Sequence, residues 1–170
     1  FTWYNPYTGL KIADDPAFIM TDIVNENPFP DRPIPTSAYY KNELNAKFTE
    51  WLKKKYGTDS AIKAAWESEG KIGAAEGESL KNGYAYAKMT TATYSDARRA
   101  DMFRFAMDTQ TEFTKDMIKY LREQGVKAMI TGSTSWTDVE AALFNMNSKT
   151  DFVDIHQYWL HPSSGWAVTA

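Results

Sequence analysis

Three short apolar runs, separated by long stretches of helical periodicity, constrain the fold of this chain more than any other feature. The first, Phe18 to Phe29 (FIMTDIVNENPF), is rich in Ile, Val and Phe and breaks at Asn25-Glu26-Asn27 and Pro28. Such a run, closed by turn residues, reads as a buried strand, because a helix needs a longer repeat. Val126 to Thr131 is the second run and Asp151 to Tyr158 (DFVDIHQY) the third.

The intervening segments read as helices. Thr36 or Ser37 can cap one that runs to about Tyr56, with Leu44, Phe48, Trp51 and Leu52 on one stripe, lysines in its last turn and Gly57 as its stop. Thr58 or Asp59 can cap a shorter helix to about Glu67. A long helix is predicted over roughly Tyr94 to Gln124, where Met102, Ala106, Thr109, Phe113, Met117 and Leu121 recur every three or four residues before Gly125. Between the second and third runs, Thr137 or Asp138 opens a helix through about Met146.

Strands alternating with helices imply right-handed crossovers and a parallel sheet. Three parallel strands by themselves leave unpaired apolar edges, which natural sheets avoid, and a (β/α)8 barrel needs about 250 residues. The predicted fold class is therefore α/β, a partial (β/α)8 TIM barrel with three parallel strands and long intervening helices, in preference to a small doubly wound domain. Residues 1–170 are expected to form one partial catalytic domain, with a helical excursion at about 57–92. Within it Glu69 to Asn82, rich in Gly, Ala and Glu, reads as exposed. A start at Phe1 rather than methionine fits a piece of a longer protein.

Charge and composition remove several function classes. A net charge of −3, with the basic residues spread through helices, gives no footprint for nucleic acid. No apolar run approaches the length of a membrane span, and Phe1-Thr2-Trp3-Tyr4 lacks the pattern of a signal peptide. The absence of cysteine excludes disulfides, thiolate catalysis and zinc–thiolate sites. No cofactor is predicted. Many of the six tryptophans and ten tyrosines belong to the core, but several lie in loops after strands where the core does not need them, and flat rings stack on sugar faces, so carbohydrate is one partner class the composition points to.

Ligands bind at the carboxyl ends of strands in parallel sheets surrounded by helices, which draws attention to Glu26. Strand alternation would put Glu26 on one face with Val24 and Asp22. Four residues of strand separate Asp22 from Glu26 by about 13 Å, too far for a pair of glycosidase carboxyls, so Asp22 is expected to be a hydrogen-bonded polar group in the interior. In the third run Asp154, His156 and Tyr158 share a face. His156 and Tyr158 can hold a substrate hydroxyl and orient a neighbouring carboxylate, or serve as a backbone-bonded histidine and a wall. Trp136 and Trp159, at the ends of the second and third runs, are candidates for sugar stacking or rim residues packed on the next helix. A metal site from Asp154, His156 and His161 has few ligands, and none is predicted.

The segments NPYTGLKIADDPAFIMTDIVNENPF, WLKKKYGTDSAIKAAW, GVKAMITGS and DFVDIHQYW, in that order, together resemble the clan A glycoside hydrolases, particularly the large family-5-like enzymes of bacteria. The resemblance covers nearly the whole chain and implies that the three runs are barrel strands four to six. It implies that Glu26 is the general acid/base of a retaining hydrolase of β-linked glycosides, with its pKa held up by a partly dry pocket and a negative nucleophile nearby. It further implies that Asn25 binds the sugar 2-hydroxyl and that His156 and Tyr158 contact substrate and nucleophile. The clan's nucleophile follows strand seven, so the remainder of the barrel is an expected partner and the isolated chain is expected to be inactive. Polymer-degrading relatives usually act outside the cell, which favours an extracellular or periplasmic location. The alternatives are a carbohydrate-binding or degenerate barrel without catalysis, and a metal-dependent barrel hydrolase.

Overall fold

The structure, a computed structural model, describes residues 1–29, 34–88, 90–133 and 146–156, and the chain divides into two compact units. One comprises Phe1–Pro28 and Thr111–Ala170 and holds the sheet; the other is Phe29–Gln110 and is helical. No helix among the described residues is long and apolar enough to cross a membrane.

In the sheet unit, β1 (Met20–Val24) pairs in parallel with β2 (Met129–Ser133), with Met20 opposite Met129, Asp22 opposite Thr131 and Val24 opposite Ser133. Ile130 and Ile23 point to one side, where they join Ala13, Phe18, Ile118, Leu121, Val126 and Ala128 in an apolar cluster. Asp22, Thr131 and Ser133 fall on the other side by alternation. β1 is half-exposed rather than buried, because its second edge has no strand beside it among the described residues.

β2 begins three residues later than the apolar run Val126 to Thr131. The reason lies in how the preceding helix, α3 (Asp96–Glu123), ends. Gly125 takes φ +89°, its N–H donates to Arg122 O and that of Val126 donates to Leu121 O, the paired bonds of a Schellman cap. Arg122 Nη1 then donates to the carbonyls of both Val126 and Ala128 at 2.7 Å, so these residues have acceptors committed outside the ladder.

The third strand expected at Asp151 to Tyr158 is not formed over 151–156, and 157–158 lie outside the described residues. Asp151 nonetheless sits on the edge of β2 that faces away from β1. Its N–H donates to Ile130 O at 3.0 Å, while its own carboxylate, instead of a backbone carbonyl, accepts from Ile130 N–H at 2.8 Å. A side chain occupying the acceptor position explains why the segment touches β2 here without continuing a ladder. Of the helix expected from Thr137 or Asp138, only Met146 and Asn147 are described, and both are helical.

Gly132 is needed for the fit of β2. A Cβ there would collide with Asn147 Oδ1 and press on Thr114 at 3.1 Å. Asn147 has little freedom to yield, since it is buried and its Nδ2 donates to Ser133 O at 2.8 Å. Gly132→Ala is expected to cost about 1–3 kcal/mol, read as a lower urea midpoint at constant m-value. An unchanged midpoint would mean the neighbours relax freely.

The helical unit is organised by α1 (Ala38–Tyr56), α2 (Asp59–Trp66) and the first half of α3. Ser37 occupies the N-cap of α1, and Gly57, at φ +78°, closes it with a bond to Lys53 O. Thr58 caps α2 by accepting from Ala61 N–H, and Ser95 Oγ does the same for α3 through Arg98 N–H. Phe48, Leu52, Ile62, Trp66, Tyr84, Met102 and Phe105 form the core, with aromatic rings in stacked, tilted and edge-on contacts. At its centre the Asp101 carboxylate accepts from Tyr56 Oη at 2.7 Å and Trp66 Nε1 at 2.8 Å and pairs with Lys55, tying the three helices together.

The excursion expected to be helical over about 57–92 is helical only to Trp66. Nor is its glycine-rich part simply exposed. Glu78 reaches in to meet Arg98, whose guanidinium is fully buried, in a bidentate pair of 2.7 and 2.8 Å. The same carboxylate accepts from the N–H groups of Ala75 and Ala85. One charge pair thus replaces the apolar content that the segment lacks.

The buried stripe of α3 also departs from its apolar spacing. Met102, Ala106 and Leu121 are buried as expected, but Gln110 and Thr114 occupy the positions between, while Phe113 is exposed. Gln110 Oε1 accepts from Phe29 N–H at 2.9 Å, and Thr114 fits against Gly132. Polar residues buried for their bonds are invisible to a count of apolar repeats.

Candidate functional site

The site is built at the end of β1. Strand geometry stops at Val24; Asn25 and Glu26 form a turn, and Glu26 adopts φ +47°, the left-handed region that a non-glycine residue enters only at some cost. Asn27 N–H then donates to Ser133 Oγ at 3.1 Å, which fastens the turn to the end of β2. The left-handed residue breaks the alternation assumed from sequence, so Glu26 does not continue the face of Asp22 and Val24 as a strand residue would. Its direction is set by the turn.

That turn brings Glu26 Oε1 to 2.6 Å from His156 Nδ1, both side chains half-buried. The other ring nitrogen, Nε2, is 3.4 Å from Asp154 Oδ2. Asp154 in turn neighbours Asp22: a carboxylate oxygen of each and a His156 ring nitrogen lie within 4.8 Å of one another. A row of four titratable groups therefore runs Asp22, Asp154, His156, Glu26.

Their electrostatics are mutually consistent. The His156 pKa is raised above its ordinary value, first by its bond to Glu26; burial, the next largest effect, opposes this, and the charges of Asp154 and Glu26 add to the rise. Burial is the largest cause holding the Asp22 carboxyl above its ordinary range, followed by the negative charge of Asp154 and the hydrogen bond between them, against His156. Two carboxyl groups that share a hydrogen bond need one proton between them.

The ligand atoms of Asp22, Asp154 and His156 all lie within 4.8 Å of one another, close enough to face a cation. They are equally close enough to share protons, and His156 meets Glu26 through Nδ1 while its Nε2 faces Asp154. Of the metal set suggested by sequence, His161 lies outside the described residues. So do Tyr158, Trp136 and Trp159. Asn25 is exposed in the turn beside Glu26.

Sequence reasoning brought Glu26 and His156 forward separately and missed the row that links them. The spacing of Asp22 and Glu26 along one strand does not reveal that Asp22 neighbours Asp154, in a segment more than a hundred residues away. The alternation of Asp154 and His156 within DFVDIHQY was the one available signal. Ser133, which anchors the turn, left no signal beyond being a polar residue at a strand end.

A separate cleft of about 490 Å³ runs along α1 in the helical unit, lined by Asn45, Glu50, Glu78, Asn82 and Tyr84 among others. Its best-placed polar groups have structural work: Asn45 Oδ1 accepts from Tyr86 N–H, and Glu78 is held by Arg98. The cleft includes none of the candidate residues.

The family model described as beta-galactosidase, glycoside hydrolase family 42, matches residues 10–168. No curated protein and no solved structure matches the chain. The match supports the clan-level resemblance without extending to the family-5-like group. The described residues form two parallel strands and three α-helices, compatible with part of a TIM barrel, and the family-model match over nearly its whole length places this chain in the beta-galactosidase family of glycoside hydrolases, family 42.

Proposed function

We propose that this chain supplies strands four to six of a (β/α)8 barrel in a retaining hydrolase of β-galactosides, with Glu26 as general acid/base. The observation that carries the proposal is the carboxylate of Glu26, at the carboxyl end of a parallel strand and 2.6 Å from His156. That is where barrel enzymes do their chemistry, and a histidine at this distance can exchange a proton with the carboxyl group. Family membership supports the substrate class.

In this reaction Glu26 protonates the departing glycosidic oxygen and later removes a proton from water, while a second carboxylate about 5–5.5 Å away attacks the anomeric carbon. That nucleophile comes from a strand outside this chain. Asn25, beside Glu26 in the turn, hydrogen-bonds the sugar 2-hydroxyl, and His156 and Tyr158 are assigned contacts to substrate and nucleophile by the family resemblance. Trp136 and Trp159 provide stacking faces for the sugar. The half-exposed sheet, with Ile19, Met20 and Met129 in the open, supports a larger barrel around it, because edges of this kind are normally covered.

The full-length protein is expected to hydrolyse an aryl β-galactoside and to release the β-anomer of galactose first, as followed by proton NMR. No hydrolysis, or the α-anomer first, would overturn the assignment. Residues 1–170 by themselves are expected to show no turnover; robust hydrolysis by them would refute the partial-barrel reading.

A further inference from the structure

We propose that Asp154 and Asp22 are positioning residues for the Glu26–His156 pair: Asp154 as an anion at His156 Nε2, and Asp22 as the neutral, proton-carrying partner that holds Asp154 in place. The proposal deepens the acid/base assignment of Glu26 and rests on it for its catalytic meaning, though not for its chemistry.

The geometry assigns the charges. His156 meets Glu26 through Nδ1 at 2.6 Å and faces Asp154 through Nε2 at 3.4 Å. An anion at Nε2 favours a proton on that nitrogen, which leaves Nδ1 able to accept from a protonated Glu26 or, with a second proton, to donate to an ionised one. In either arrangement the pair retains one exchangeable proton on the Glu26 side, the proton an acid catalyst must deliver. Were both aspartates ionised, two negative charges would sit side by side; one proton shared between them relieves this. The raised pKa of Asp22 is consistent with that proton residing there.

The charged groups described around His156 are Glu26, Asp22 and Asp154. Glu26 and Asp22 face His156 from β1 and its turn, and Asp154 from its own segment. On the same face β2 presents the neutral Thr131 and Ser133, in register with Asp22 and Val24. Thr131 is fully buried and its hydroxyl is neutral, so it adds no charge to this face.

The test is the titration of His156 in the full-length protein, followed by NMR with labelled histidine and assigned by loss of its signal in His156→Gln. Asp154→Asn is expected to lower the His156 midpoint by about one unit or more, the effect of removing an adjacent opposite charge. Asp22→Asn keeps a neutral donor on Asp154 and is expected to leave the midpoint essentially in place. The basic limb of kcat/KM for β-galactoside hydrolysis should move to lower pH with Asp154→Asn, because the coupled pair then loses its proton more easily.

An unmoved His156 midpoint in Asp154→Asn would overturn the proposal. So would a midpoint lowered equally by Asp22→Asn, which would make Asp22 an anion, or a stoichiometric divalent metal whose removal shifts the titration. A purely structural role for Asp154 would lower kcat at every pH without moving the limb. The NMR titration needs no turnover, so absence of activity would count against the acid/base assignment while leaving the charge row separately decided.

Discussion

Glu26→Gln in the full-length protein is expected to lower kcat/KM for β-galactosides with poor leaving groups by about 10²–10⁴-fold, the usual worth of a positioned proton donor. The carboxamide keeps the size of the side chain and a polar contact to His156, so binding and folding should change little. What it loses is the ability to give a proton to the leaving oxygen and to take one from water. The loss should shrink for nitrophenyl galactosides, whose leaving group departs without protonation, in the first step only. Deglycosylation would then limit turnover, and a small anionic nucleophile such as azide, which needs no general base, should restore it. Equal losses across leaving groups, with no azide rescue, would remove Glu26 from the acid/base role.

Glu78→Leu is expected to destabilise the helical unit by about 3–5 kcal/mol, because it strands the buried Arg98 guanidinium without its counter-charge. Arg98 is fully buried, stacks on Trp66 and Tyr94, and donates to the carbonyls of Gly73 and Ala85 as well as to Glu78. It therefore cannot swing to water without dismantling the segment that wraps α2. Urea unfolding monitored by tryptophan fluorescence checks the loss. Adding Arg98→Met should recover only part of it, since Glu78 also accepts from Ala75 and Ala85 N–H and those donors would stay unpaired.

The same pair makes this unit sensitive to acid. Burial works to raise the Glu78 pKa, but Arg98 and the two backbone donors outweigh it and hold the carboxyl below its ordinary value. A depressed folded-state pKa gives stability that is complete above the unfolded value and is lost as pH falls through the folded one. The wild-type midpoint in urea should accordingly fall on acidification below the ordinary glutamate range, and that dependence should be weaker in Glu78→Leu.

Much of the element structure was legible locally. Ser37, Gly57, Thr58 and Gly125 sit at helix ends because capping and left-handed turns are decided within a few residues, and α1 and α2 begin and end where those residues direct. The parallel pairing of β1 and β2 followed from the helical crossover between them. The strand offsets, by contrast, depended on distant bonds. Arg122 occupies carbonyls that would have joined β2, and Asp151 substitutes a side chain for a strand bond at Ile130.

The candidate site divides in the same way. Sequence by itself determined that a carboxylate, Glu26, follows an apolar strand and that a histidine, His156, ends a later segment, since strand length and turn chemistry are local properties. Only the tertiary structure decided that they meet. The left-handed turn at Glu26 and the anchoring of Asn27 on Ser133 aim the carboxylate at His156, and Asp22 finds Asp154 across more than a hundred residues. Such contacts arise from the packing of separate elements, and no periodicity within either segment records them.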